Sequence, residues 1–144
     1  MKAILTLTLA LIALAFLFPP AVLAEDKDTP LAIEMKGMSK DFKQLKKQIA
    51  DPAQKASSLD LIADMEKHAK AARDLTPANT SKVPPAGRDK WMTEYKQQID
   101  SLIAAYDKLQ TAVTGDHLDE ARTDMDDILG IKRKGHDEFA KESK

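Results

Sequence analysis

Between Leu31 and Ile49 apolar residues recur at Leu31, Met35, Met38, Phe42, Leu45 and Ile49, at spacings of 4, 3, 4, 3 and 4. That rhythm places all six on one stripe of an α-helix. Three further segments repeat it. Asp51-Pro52 closes the first helix and opens a second, which carries Leu59, Leu61, Ile62, Met65, Ala69, Ala72 and Leu75 on one face until Thr76-Pro77 stops it. Residues 76–87 (TPANTSKVPPAG) are polar and proline-rich, and predict a loop. The third helix starts near Arg88, with Trp91, Tyr95, Ile99, Leu102, Tyr106, Leu109 and Val113 on its stripe, and ends at Gly115. Asp116 is the expected N-cap of the fourth, which presents Leu118, Ala121, Met125, Ile128, Leu129, Lys132, His136 and Phe139. No stretch alternates with period two for long enough to predict a strand. Four amphipathic helices with mostly short links predict an all-α, antiparallel up-down-up-down four-helix bundle.

The first 24 residues read differently. Met1-Lys2 is a short positive start, Ala3 to Leu17 is almost unbroken apolar sequence, and Pro19-Pro20 precedes small residues ahead of Glu25-Asp26. This is the layout of a cleaved secretory signal peptide over 1–24. The apolar run is somewhat short for a membrane span of about 20 residues. The expectation is therefore an exported, periplasmic bundle over 25–144, with no stable membrane association after cleavage. The chain has no cysteine, so this bundle is stable by packing alone, and about 120 residues suffice for that. The same absence excludes disulfides, thiol catalysis, cysteine-ligated metals and covalent C-x-x-C-H haem attachment. A net charge of -1 argues against a nucleic-acid role. It suits a monomer with weak, transient partners.

A bundle core is expected to be aliphatic, so polar residues on the stripes are informative. Of the three histidines, His117 lies off the stripe beside the expected cap and reads as surface. His68 lies near the middle of the second stripe. His136 lies on the fourth, near the helix end. In an up-down-up-down bundle the start of helix one and the end of helix four share one end. Met35 and His136 each sit about one turn in, roughly 6–8 Å below the mouth at about 1.5 Å per residue. The same end receives Met65, Trp91 and Tyr95, under the loop with Pro77, Pro84 and Pro85; His68 would lie about a turn deeper. An imidazole facing a thioether across a pocket lined by aromatics, Met38 and Phe42 is the ligand pair of a six-coordinate haem iron. Met35 and Met38 both point inward, so either can supply the sulfur. Core packing is the plainer reading of each of these residues taken alone.

The segments Leu31-Ala-Ile-Glu-Met35 with Met38, Phe42 and Leu45, Asp60 and Met65 ahead of Thr76-Pro77, and the fourth helix ending in a basic run, His136 and Phe139, resemble the cytochrome b562 family. The likeness spans 31–140. It implies a periplasmic four-helix bundle that binds one non-covalent haem b and transfers single electrons, without enzymatic activity. Carried over, Met35 and His136 are the axial ligands, with Met38, Phe42, Met65, Trp91, Tyr95 and Phe139 around the ring. The redox partners are not identified by the resemblance. Gly135 departs from the large aromatic usual in the family before the histidine, and is expected to leave a gap beside the haem. Lys132, Arg133 and Lys134 are candidates to pair with haem propionates, although cations are favoured in a last helical turn anyway. Two other readings remain: a haem-free periplasmic binding module of the same fold, and a copper site built from Met35, Met38 and His136. The run Asp124 to Asp127 lacks the turn and spacing of a calcium loop.

Overall fold

A computed structural model of the chain describes residues 28–140; the expected leader over 1–24 lies outside them. Helix α1 is Pro30–Gln48, α2 is Lys55–Arg73, α3 is Arg88–Thr114 and α4 is Leu118–Gly135, with no strand among the described residues. The helix ends follow local chemistry. Thr29 caps α1 through its side chain, which accepts from the Ala32 amide at 3.2 Å, and Pro30 occupies the first helical position. Asp51 accepts from the Ala53 amide at 2.9 Å and starts the short turn into α2. Residues 76–87 are less irregular than expected, since Ala78–Lys82 and Pro85–Gly87 form 3₁₀ turns. Asp116 does not cap α4. It takes the left-handed conformation with φ 60°, its carboxylate accepts from Lys55 Nζ at 2.8 Å, and His117 stands at the cap position. The last five residues, His136–Ala140, leave the α-helical ladder and form a π turn.

Cross-links between helices fix the up-down-up-down order. His68 on α2 reaches Glu34 near the start of α1, and Gln48 at the end of α1 donates to Ser57 near the start of α2 at 2.9 Å. Tyr95 of α3 donates to the Ala72 carbonyl of α2 at 2.7 Å, and Gln98 donates to the Ile131 carbonyl of α4 at 2.8 Å. The core runs the length of the bundle through Leu45, Ile62, Met65, Tyr106, Leu109 and Ile128, each fully buried. Helix α1 packs along α2, α2 along α3, and α3 along α4, whereas the α1–α4 seam lacks comparable packing. At this seam Lys132 on α4 approaches α1, donating to Ser39 Oγ at 3.3 Å. The seam is where the molecule opens.

Candidate functional site

A cavity of about 1140 Å³ occupies the α1–α4 seam. That is somewhat above the usual range of small-molecule sites, about 300–1,000 Å³. Helix α1 supplies one wall with Leu31, Met35 and Met38, and α4 with its π turn supplies the facing wall with Ile131, Lys132, Gly135, His136 and Phe139. Tyr95, Gln98, Ile99 and Leu102 of α3 form the floor, and Pro77, Ala78 and Asn79 close the end. The 4-3 spacing of α1 explains the wall, because Leu31, Met35 and Met38 are successive positions on one face. Most of the lining surface is apolar, with two sulfurs and one imidazole as its soft donors.

Met35 and His136, predicted to meet at one end of the bundle, line the same cavity. Met35 is half-buried, whereas His136 is 66% exposed at the mouth, with Nδ1 3.9 Å from Asp137. Met38 also lines the cavity and is buried. Phe139 and Tyr95 lie in the lining as expected. Phe139 is held between two rings, edge to Trp91 at 5.1 Å and edge to Tyr95 at 5.5 Å. Asn79 Nδ2 donates to its carbonyl at 3.3 Å, so the loop secures the π turn.

Three residues expected in the lining sit elsewhere. Trp91 stands behind Phe139 and touches the site through that ring. Helix α2 contributes Leu61 to the lining, whereas Met65 on the same helix is fully buried and belongs to the core. Phe42 is one turn beyond Met38, buried in the core, and its ring packs under Lys132 Nζ at 5.2 Å. Of the three loop prolines, only Pro77 reaches the cavity; Pro84 and Pro85 are exposed. Gly135 lines the cavity, and Gln98 stands against it, with Cγ 3.3 Å from where a Cβ would lie. Gln98 was not singled out from the sequence. Its signal was its position three residues after Tyr95, on the cavity side of α3.

His68 is not a cavity residue. Its imidazole lies against the backbone of Gly37, where a Cβ would come within 2.6 Å of Cε1 and Nε2. Nδ1 is 2.6 Å from Glu34 Oε2, and Nε2 is 3.8 Å from Asp41 Oδ2. The ring sits between two α1 carboxylates and pins α2 to the part of α1 that carries Met35 and Met38. Its place at the α1 edge of the α2 stripe, combined with a glycine on the facing helix, makes this contact possible.

Two groups near the site are electrostatically displaced. Burial lowers the pKa of Lys132 below the usual lysine value, and the neighbouring charge of Lys43 lowers it further. Burial pushes the Tyr95 phenol up to about 12. Deeper in α3, the Tyr106 hydroxyl is buried with no hydrogen-bond partner among the described residues, and its pKa is raised by burial and then by Asp41. Among the described residues no cluster of three or more histidine or acidic side chains is arranged to hold a metal ion, and no helix is long and apolar enough to cross a membrane.

The family model for cytochrome b562 matches residues 30–140, from the start of α1 to the end of the π turn. Comparison with curated proteins and with solved structures finds no match.

Proposed function

The chain belongs to the cytochrome b562 family, and on that premise we propose that it is an exported haem-b electron carrier with Met35 and His136 as axial ligands. The observation that carries this reading is that one thioether and one imidazole, from the two helices flanking the seam, line a single mainly apolar cavity. The donor set suits the group, since this ligand pair raises the potential of haem iron. Bound haem supplies a one-electron iron couple, and the protein supplies binding, orientation and a dry pocket.

The chain's own residues divide that work. Ile99 and Leu102 of the floor and Phe139 of the facing wall present apolar surface that excludes water. Trp91 and Tyr95 hold Phe139 in place, and Tyr95 is itself anchored to the Ala72 carbonyl. Lys132 places a half-buried cation on the cavity wall, where an anionic propionate would relieve its desolvation. The preference for Met35 over Met38 rests on its place in the family pattern and on its half-exposed position, since Met38 is packed into the core.

Titration of the protein with haemin tests this reading, with a sharp Soret band and resolved α and β bands on reduction as the expected result. His136→Ala should abolish binding or leave weak, high-spin haem. Met35→Ala should keep haem and lower its potential, while Met38→Ala should destabilise the fold by about 2–5 kcal/mol and leave the potential unchanged. An unaltered spectrum and potential in Met35→Ala would transfer the thioether role to Met38. Export is tested by the N-terminus of the protein recovered from the cell envelope, which should be Glu25.

A further inference from the structure

Some basic side chains of this molecule are paired with acids, whereas among the described residues Lys46, Lys67 and Lys108 are not. Lys55 meets Asp116, Lys70 meets Glu66, Arg73 meets Asp100 and Arg122 meets Asp119. What sets the α1–α4 seam apart is that its cations are clustered, and among them Lys36 alone has an acid partner within the described residues. Lys36, Lys40, Lys43 and Lys47 recur at helical spacing along α1, and all four border the cavity. They form an exposed stripe about 16 Å long. Lys132 faces them from α4, half-buried and close enough to Lys43 for the two charges to oppose each other. Lys40, Lys43 and Lys47 have no acidic partner among the described residues. The carboxylates nearby are engaged: Asp28 with Lys36, and Asp41 toward His68.

Clustered like charges along one seam raise a local positive potential that attracts groups of opposite sign. One or two propionates at a haem edge would offset part of this stripe, but its length exceeds their reach. We propose that the α1–α4 seam is the docking surface for an acidic electron-transfer protein, recognised by the Lys36–Lys47 stripe and Lys132. This rests on the reading that the cavity holds haem, because the seam is then where the macrocycle comes nearest to solvent and to a partner's redox group. Electrostatic complementarity of this kind acts mainly on encounter rate and orientation. An acidic protein fits better than an anionic membrane. A membrane-seated basic helix needs a row of large apolar side chains to insert, and Ile33 is the one large apolar residue of α1 that is exposed.

The test is a titration of ¹⁵N-labelled protein, before and after loading with haemin, with a flavodoxin as the acidic probe and the basic mitochondrial-type cytochrome c as its opposite. Flavodoxin should shift amides of Lys36–Lys47 and Lys132–Lys134 in both forms, and the shifts should fade as salt rises from 10 to 300 mM, because screening lengths fall below the charge separations. Lys40→Glu/Lys43→Glu should weaken binding at least tenfold, while the matched reversal on α2, Lys67→Glu/Lys70→Glu, should change it less than twofold. Absent shifts, shifts centred on α2 or α3, equal losses in the two variants, stronger binding of the basic cytochrome, or sedimentation with phosphatidylglycerol vesicles in place of flavodoxin binding would each overturn the proposal. A protein that docks flavodoxin at the seam yet takes up no haemin would overturn the haem reading and leave the docking surface standing.

Discussion

Gly37 and Gly130 both lie inside helices, and an alanine at either would ordinarily stabilise the helix by up to about 1 kcal/mol. Their surroundings reverse the sign at one of them. At Gly130 a Cβ meets nothing within 4 Å, so Gly130→Ala should raise the urea midpoint by an amount equivalent to about 0.5–1 kcal/mol. At Gly37 the same methyl would enter the imidazole of His68, and that ring is held by Glu34 at 2.6 Å. Gly37→Ala should therefore destabilise by about 1–3 kcal/mol. The clash should vanish in the pair: Gly37→Ala/His68→Ala should be more stable than His68→Ala alone. Urea unfolding of the four proteins of this cycle measures the coupling, and an additive result would place the ring elsewhere. None of this was legible from residue types, because a glycine in a helix announces neither the neighbour that requires it nor the absence of one.

At the scale of the element, α3 is the organising helix. It is the longest, it packs against both α2 and α4, and it carries both tyrosines of the chain on its buried face. The Tyr95 phenol has its pKa raised from 10.0 to about 12, and burial is the cause. A group whose folded pKa lies above its unfolded value contributes stability that is fully present below the unfolded pKa and is lost as pH rises through the folded one. Stability should thus hold until about pH 10 and fall steeply between 10 and 12, with Tyr106 adding to the fall in the same direction. Tyrosinate absorbance near 295 nm should appear together with the loss of helical circular dichroism, not before it. Tyr95→Phe should soften this alkaline fall and cost about 1 kcal/mol at neutral pH, since the Ala72 carbonyl loses its donor. The stripe of α3 was plain in the sequence, as were its limits to within about a residue, while the end of α1 and both ends of α2 lie two to three residues from the punctuation at Asp51-Pro52 and Thr76-Pro77. The end of α4 was not plain, because a π turn differs from an α turn in its hydrogen bonds and leaves the residue pattern almost unaltered.

For the molecule as a whole, the unequal packing of the four helices is the property that bears on function. Three helix pairs are closed by apolar contact, and the α1–α4 pair is held apart over a large cavity. Local opening follows contact density, so backbone amides facing the seam in α1 and in the last turns of α4 should exchange with deuterium faster than those of central α3. Haemin binding should slow them most and raise the thermal midpoint in a concentration-dependent way, as expected for any ligand that binds the folded state. Uniform exchange across the four helices would be inconsistent with an open seam.

The apolar rhythm by itself determined that this chain forms four helices in an alternating bundle, because periodicity near 3.6 and proline or glycine punctuation are local properties that each segment carries with it. It also brought Met35 and His136 to the same end, since antiparallel order makes the start of the first helix and the close of the fourth neighbours. Tertiary structure alone decided which stripe residues face the seam and which face the interior. Phe42, Met65 and Trp91 share the hydrophobic signature of the lining residues and yet pack behind them. A stripe spans a wide arc of the helix, and only the rotation of each helix against its neighbours divides that arc between cavity and core.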